Sequence, residues 1–405
     1  MSSTTLNSCV CKRLSNGLNV SILPQPKYSH TFVSCSVPYG SIHDITLAGT
    51  AHFLEHMMFY NPDGQSVKSL LHAEGASTSA LTRYDVTTYQ LACTGNLRNS
   101  LQLFMNMIAT PYFTKRNIER ERRAIHQELE MYKDQPSWLA LQQLLQMIYG
   151  NDHPITQDVA GTSESIADIT VEWLSNAYTS HYGTSRMSVA VVGPVEPTEI
   201  FEWLENFSMD QPKMISHTPF IQPLQERDET YKEMNGGYSI PLVRFGFQEE
   251  RPVTQLETQV ATMIGIEALL GETSTFFTES VKSGLLGKGS HWDHYYRQEF
   301  AFSNVCGYSV DPVELHQRVK EECSRIQDRM LSSEDIHYAR MKWISNHYAD
   351  MDSLKKRCMH ISEYGVIGLD YMQMSECAMK LTDEDIGIHL KRIAKPSHLR
   401  MSVVR

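Results

Sequence analysis

The segment Thr50-Ala51-His52-Phe53-Leu54-Glu55-His56-Met57-Met58 sets two imidazoles four positions apart with a carboxylate between them. On a helix each residue advances by about 100°, so His52 and His56 share one face, one turn apart. Two imidazoles so placed can reach one Zn²⁺ at about 2.0–2.1 Å. Glu55 falls to the other side of His52, where it can flank a metal and face a bound water without ligating. A metal lowers the pKa of its water to about 7, and an adjacent carboxylate can take the proton. His-x-x-Glu-His is the inverted form of the common zinc-peptidase motif. The bland alternative is a helix that happens to carry two of the chain's 17 histidines and a glutamate.

Two histidines do not close a catalytic zinc site, which normally has three protein ligands and a water. The stretch from Ile118 to Tyr132 supplies four carboxylates on a helical pattern: Glu119, Glu121, Glu128 and Glu130. Its apolar stripe is Ile118, Ile125, Leu129 and Tyr132. Glu121 and Glu128 border that stripe, whereas Glu119 and Glu130 fall towards solvent. One of the bordering pair can ligate while the other holds a histidine or the ligating carboxylate. A solvated glutamate on a charged helix is the alternative for either.

The elements that must position these groups follow from pattern. Leu18, Val20 and Ile22 alternate after an Asn16-Gly17 turn, and Phe32 to Pro38 reads as a second strand. Gly49 to Tyr60 is a helix closed by Asn61-Pro62-Asp63-Gly64, and Gln65 to Glu74 is another. Ala76 to Thr94 reads as strands and Leu97 to Thr110 as a helix. A long helix opens with Thr114 as N-cap and runs to about Asp134-Gln135-Pro136, with more helix to Tyr149. Helix from Thr170 to Tyr182 and strand from Met187 to Val192 complete the first half. A second set follows: strand Leu242–Phe247, helix Thr254–Leu270, strand Phe302–Val310, helix Pro312–Leu331 and a closing strand Leu399–Val404. The expected fold is therefore α+β, with two similar domains, each a mainly antiparallel sheet with helices packed on one face. The expected boundaries are 1–207 for the zinc-binding domain, 208–235 for a linker carrying Pro212, Pro219 and Pro223, and 236–405 for a related domain without a metal site.

Composition bounds the partners. The chain has 405 residues, which fits two domains. It is 41% hydrophobic and 20% charged, so it is not a mainly disordered chain. A net charge of −11 without a basic stripe argues against a nucleic-acid binder. No apolar run reaches the length of a bilayer span, and the start carries no positive cluster or apolar core, so a cytoplasmic location is expected. Eight cysteines lie at 9, 11, 35, 93, 306, 323, 358 and 377 without a Cys-x-x-Cys pair, and reduced thiols are expected. The segment Gly284-Leu285-Leu286-Gly287-Lys288-Gly289-Ser290 fails the phosphate-loop spacing, because Lys282 stands where the first glycine is required.

The chain resembles the pitrilysin/insulinase family of zinc peptidases, which includes the mitochondrial processing peptidases. Beyond the histidine motif, the resemblance rests on Leu14 to Leu18, on Gly75 to Tyr89, on Glu121 followed by Glu128, and on Gly193-Pro194-Val195. It is strongest to the motif-bearing subunit of bacterial two-subunit members, through His52 to Met58, Glu128 to Tyr132 and Asp158 to Thr162. Such pairs serve peptide maturation or modification of a translation factor, and both stay open. The resemblance implies Zn²⁺ as cofactor, with His52, His56 and Glu128 as ligands, Glu121 supporting them and Glu55 as the general base. It implies an extended peptide as substrate, adding to a sheet edge at Ser79-Ala80-Leu81-Thr82, where the family often has Asn-Ala-x-Thr. Active members also use an Arg and a Tyr that would fall at Thr278 and Leu285 here. Their absence implies a heterodimer with a related chain that lacks the zinc motif and supplies them. Tyr295, Tyr296 and Arg297 lie nearby; they read first as packing or surface residues and only second as stand-ins. The competing class is a non-catalytic peptide-binding or scaffold subunit with a vestigial metal site, which would have no use for Glu55.

Overall fold

The computed structural model describes residues 9–62, 65–209, 229–249, 255–297 and 299–405. The described residues form two compact units. One takes them from Met1–Leu129, Gln157–His217 and Asp350–Met372; the other from Glu130–Thr156, Thr218–Ala349 and Gln373–Arg405.

The first unit is built on six strands: β1 (Val10–Arg13), β2 (Asn19–Pro24), β3 (Thr31–Val37), β4 (Ala76–Thr82), β5 (Thr87–Cys93) and β6 (Ser188–Gly193). They lie in the order β1-β2-β6-β3-β5-β4. Only β2 and β6 run parallel; the other neighbours are antiparallel. Alternation sorts the side chains. Val20, Ile22, Val33, Cys35, Val189 and Val191 enter the main core with Phe53, Leu54 and Met57 of the helix Thr50–Met57. Leu23, Ala190 and Val192 point the other way, onto Leu354, Cys358 and Ile361 of the helix Leu354–Val366. All six residues of β6 are buried, as befits a strand covered on both faces.

The second unit has β7 (Tyr231–Met234), β8 (Leu242–Gln248), β9 (His291–Tyr296), β10 (Ala301–Tyr308) and β11 (Leu399–Val404). Their order is β7-β11-β8-β10-β9, again with one parallel pair, β7 and β11. Without β1, the two sheets have the same plan. Here the helix Pro136–Tyr149 packs on β8 and β11, with Ala140 against Leu242, Cys306 and Val404.

Two boundaries differ from the sequence expectation. Each unit recruits a helix from far along the chain, 350–372 in one and 130–156 in the other, so neither compact unit is a continuous stretch. Each recruited helix covers a second sheet face, whose inward residues do not announce their partner in the sequence. The expected linker 208–235 lies largely outside the described residues, and its last part is not linker. Tyr231–Met234 form β7, held in register by Met401, Ser402, Val403 and Val404. Among the described residues, no helix is long and apolar enough to cross a membrane.

Candidate metal centre

The short helix Thr50–Met57 has no side chain at its N-cap, because that position is Gly49. Gly49 sits at φ +85°, and a Cβ there would meet the Ala160 carbonyl oxygen at 2.5 Å. Only glycine fits this close approach. Asp44 takes over the capping task. Its Oδ2 accepts the Ala51 N–H at 2.9 Å, and its Oδ1 accepts the Tyr39 hydroxyl at 2.7 Å. Burial pushes the Asp44 carboxyl up to about 7, against the pull of these hydrogen bonds. The Trp173 indole N–H donates to Thr50 Oγ1 at 2.9 Å and ties the first turn to the helix Val171–His181. With Ala51, Phe53, Leu54 and Met57 fully buried, the helix cannot rotate without emptying the core.

That fixes where His52, Glu55 and His56 stand. The two imidazole rings lie 4.7 Å apart between centroids. Facing them is the helix Lys115–Lys133, seated by Ile118, Ile125 and Leu129. Arg122 anchors it further, donating to the carbonyls of Ile166 at 2.9 Å and Ile169 at 2.7 Å. This helix brings Glu128 to the histidines. His52 Nε2 and His56 Nε2 each lie 3.7 Å from Glu128 Oε2. Ligand atoms of all three residues fall within 4.8 Å of one another.

These separations fit an ion better than a direct bond. At 3.7 Å neither imidazole is within hydrogen-bond distance of the carboxylate. Two donors about 2.0–2.1 Å from a tetrahedral Zn²⁺ stand roughly 3.3 Å apart, so a small closure completes the set. His56 is oriented for it: its Nδ1 is 3.0 Å from Glu121 Oε2, which leaves Nε2 towards Glu128. The Tyr60 hydroxyl donates to Glu121 Oε1 at 2.5 Å and fixes that carboxylate in turn. His52 is held differently. Its Nδ1 is buried and has no hydrogen-bond partner among the described residues, so packing alone orients the ring. The two nitrogens that face Glu128 and the carboxylate between them form a His-His-Glu group able to bind zinc.

The electrostatics divide the histidines. Burial, then the neighbouring His56, hold His52 down to about 3, so it stays neutral with a lone pair to offer. Burial also acts to lower His56, but the Glu121 hydrogen bond and the charges of Glu55, Glu121 and Glu128 outweigh it and raise its pKa. Burial acts to raise Glu121, yet its bonds to His56 and Tyr60 hold it below the ordinary value. Glu55 is 7% exposed, and burial raises its carboxyl above the usual range despite the Thr82 hydrogen bond. Thr82 Oγ1 donates that bond to Glu55 Oε2 at 2.7 Å.

The expected substrate strand is β4, an outer strand paired with β5 among the described residues. Ser79 and Leu81 are exposed on it, Ala80 is half-buried, and Thr82 is buried with its hydroxyl on Glu55. Thr278 lies on the helix Thr275–Lys282, and Leu285 is buried. Tyr295, Tyr296 and Arg297 are engaged within their own unit, as the packing reading expects: Tyr295 stacks on Phe302, Tyr296 is buried, and Arg297 donates to the Tyr296 carbonyl. Sequence reasoning missed Asp44, Tyr60 and the Thr82–Glu55 bond. Spacing carries no signal for the last two. Asp44, six residues before Thr50, could have been found by asking what caps a helix that begins after glycine.

Comparison with known proteins gives a consistent picture. Residues 22–163 match the family model described as insulinase (peptidase family M16), and residues 168–342 match the one described as peptidase M16 inactive domain. The chain is 26% identical over 393 residues to the uncharacterized zinc protease YmfH of Bacillus subtilis, covering 93% of this chain and 91% of that one. It is 26% identical over 216 residues to the mitochondrial-processing peptidase subunit beta of Saccharomyces cerevisiae, covering 52% of this chain and 46% of that one. A solved M16-like peptidase from Alicyclobacillus acidocaldarius superimposes with a TM-score of 0.90 at 26% identity, over 98% of both chains. A protease from Helicobacter pylori shares the fold with a TM-score of 0.85 at 18% identity, over 99% of this chain and 100% of that one.

Proposed function

The chain belongs to the insulinase family of peptidases, family M16, and from that premise we propose that it is a zinc-dependent endopeptidase subunit that hydrolyses extended peptides. One observation carries the reading: His52 Nε2, His56 Nε2 and Glu128 Oε2 converge beside a buried glutamate that does not join them. In this reading His52, His56 and Glu128 are the ligands and Glu121 orients His56. When bound there, zinc would lower the pKa of a water and polarise the scissile carbonyl.

The chain's own residues supply the proton traffic. Glu55 Oε2 is held by Thr82, which leaves Oε1 to take the proton of the attacking water. The same carboxyl can then give that proton to the departing amine. Its raised pKa suits both tasks better than an ordinary carboxylate would, because it brings uptake and release closer to neutrality. The outer edge of β4 offers backbone groups to a peptide in extended form, and exposed Ser79 and Leu81 flank the added strand. Precursor or leader peptides fit this geometry, since an unfolded segment can lay its backbone along the edge in extended form.

Partner dependence is part of the proposal. Thr278 and Leu285 cannot donate the charged and phenolic hydrogen bonds that Arg and Tyr would direct at a developing oxyanion. Each such donor lost costs about 2.7–4 kcal/mol. A related subunit without the zinc motif would supply them, and the likeness to a peptidase subunit beta supports this reading. The test combines elemental analysis with peptide cleavage, using the chain alone and with its co-purifying partner. Glu55→Gln should keep its zinc and lose turnover by about 10³-fold. Full turnover in Glu55→Gln would refute the base assignment, and robust cleavage by the isolated wild-type chain would refute the need for a partner.

A further inference from the structure

Two thiols meet at the outer edge of the first unit. Cys11 lies on β1 and is exposed, and Cys9, just before the strand, is half-buried. Their sulfurs are 3.7 Å apart. Cys11 Sγ also lies 3.4 Å from the hydroxyl of Ser21, its register partner on β2. The other six cysteines offer no such pair. Cys35, Cys93, Cys306, Cys323 and Cys358 are buried, and Cys377 is half-buried. Burial pushes the Cys35 thiol up to about 12 and that of Cys377 to about 11. The contact with Cys9, with help from Ser21, instead brings Cys11 down to about 6, and the same contact together with burial pushes the Cys9 thiol up.

We propose that Cys9 and Cys11 form a thiol-redox site, oxidised to an intrachain disulfide by small disulfide compounds. Its exposure, beside the half-buried Cys9, makes Cys11 the attacking group, since the nucleophile is an accessible thiolate. Cys11 Sγ⁻ attacks one sulfur of the small disulfide. The S–S bond breaks, one thiolate leaves, and a mixed disulfide remains on Cys11. Cys9, deprotonated by solvent or by that leaving thiolate, attacks Cys11 Sγ and expels the second thiolate. The two protein thiols lose two electrons and two protons, and the small disulfide gains them as two thiols. The half-buried position of Cys9 suits the resolving role: it is shielded from bulky reagents yet already in contact with Cys11. The site lies on an outer strand, apart from the helices that carry His52 and Glu128, and its test does not depend on peptidase activity.

The experiment uses the full-length, fully reduced chain under native conditions, with oxidised glutathione as the probe. The reaction is quenched with acid, and the tryptic peptide ending at Lys12 is weighed. The expected product is that peptide lighter by two hydrogens, with no glutathione retained and the remaining cysteines still free. Iodoacetamide should also modify Cys11 at least about tenfold faster than Cys377. Cys9→Ser should stop the reaction at one stable glutathione on Cys11, and Cys11→Ser should abolish it. The proposal is overturned if the wild-type peptide keeps both thiols, if glutathione stays on Cys11 unresolved, or if Cys377 reacts as fast. The wild-type measurement stands even if a variant fails to fold.

Discussion

The two units share a strand order, counted without β1, yet differ in what a helix of comparable place in the chain carries. In the first unit the helix Thr50–Met57 follows β3 and holds His52, Glu55 and His56. In the second the helix Leu256–Leu270 follows β8; it carries no histidine, and its buried residues are apolar or uncharged, Thr258, Gln259 and Thr262 among them. A buried ionisable group is tolerated only where other groups answer it. The first unit provides those answers at Asp44, Thr82, Glu121 and Glu128. Buried charge in the second unit is answered differently: Glu249 pairs with Arg392 at 2.8 Å. The same strand order thus carries a candidate metal group in one unit and a Glu249–Arg392 ion pair in the other.

Substitutions break this comparison in graded ways. The largest effect is expected for Glu128→Ala or His52→Ala, which should leave the chain without stoichiometric zinc by elemental analysis and without peptidase activity. Next comes Glu121→Gln, which loosens His56; a competition titration with a zinc chelator should show affinity lower by about 10–100-fold. Retained zinc affinity in Glu121→Gln would mean that Glu121 does not orient the ligand. Thr82→Val should leave zinc in place and lower kcat by about tenfold. The hydrogen bond from Thr82 lowers the Glu55 pKa, so its loss should move the acid limb of the kcat/KM profile to higher pH. An unchanged profile would assign Thr82 a packing role only. The smallest effect on the site is expected for Glu249→Gln in the second unit: zinc content unchanged, with stability lower by about 1–3 kcal/mol in a denaturant titration. Zinc loss in that variant would contradict the separation of roles between the units.

Much of this was legible in the sequence where periodicity is local. The i,i+4 histidines, the helix seated by Ile118, Ile125 and Leu129, and the alternating strands before and after them follow from spacing within one element. The repeat of strand order was visible as a repeat of element order. What stayed hidden depends on contacts across long sequence separations. β9, His-Trp-Asp-His-Tyr-Tyr, has no apolar alternation, because its stacked rings pack against Phe247 and Phe302 rather than forming one greasy face. β7 has only half-buried or exposed residues and becomes a strand through β11. The helices Pro136–Tyr149 and Leu354–Val366 could be recognised as helices, but nothing local says which sheet face each one covers. Tyr60 on Glu121 and Thr82 on Glu55 belong to the same class, since each joins residues from different elements.

The central claim is that three side chains from two helices hold one zinc ion. An anomalous difference map at the zinc absorption edge, from crystals of the purified chain, tests it directly. The account predicts one strong peak per chain, within bonding distance of His52 Nε2, His56 Nε2 and a Glu128 carboxylate oxygen. A map with no peak there, from zinc-replete protein, would contradict it.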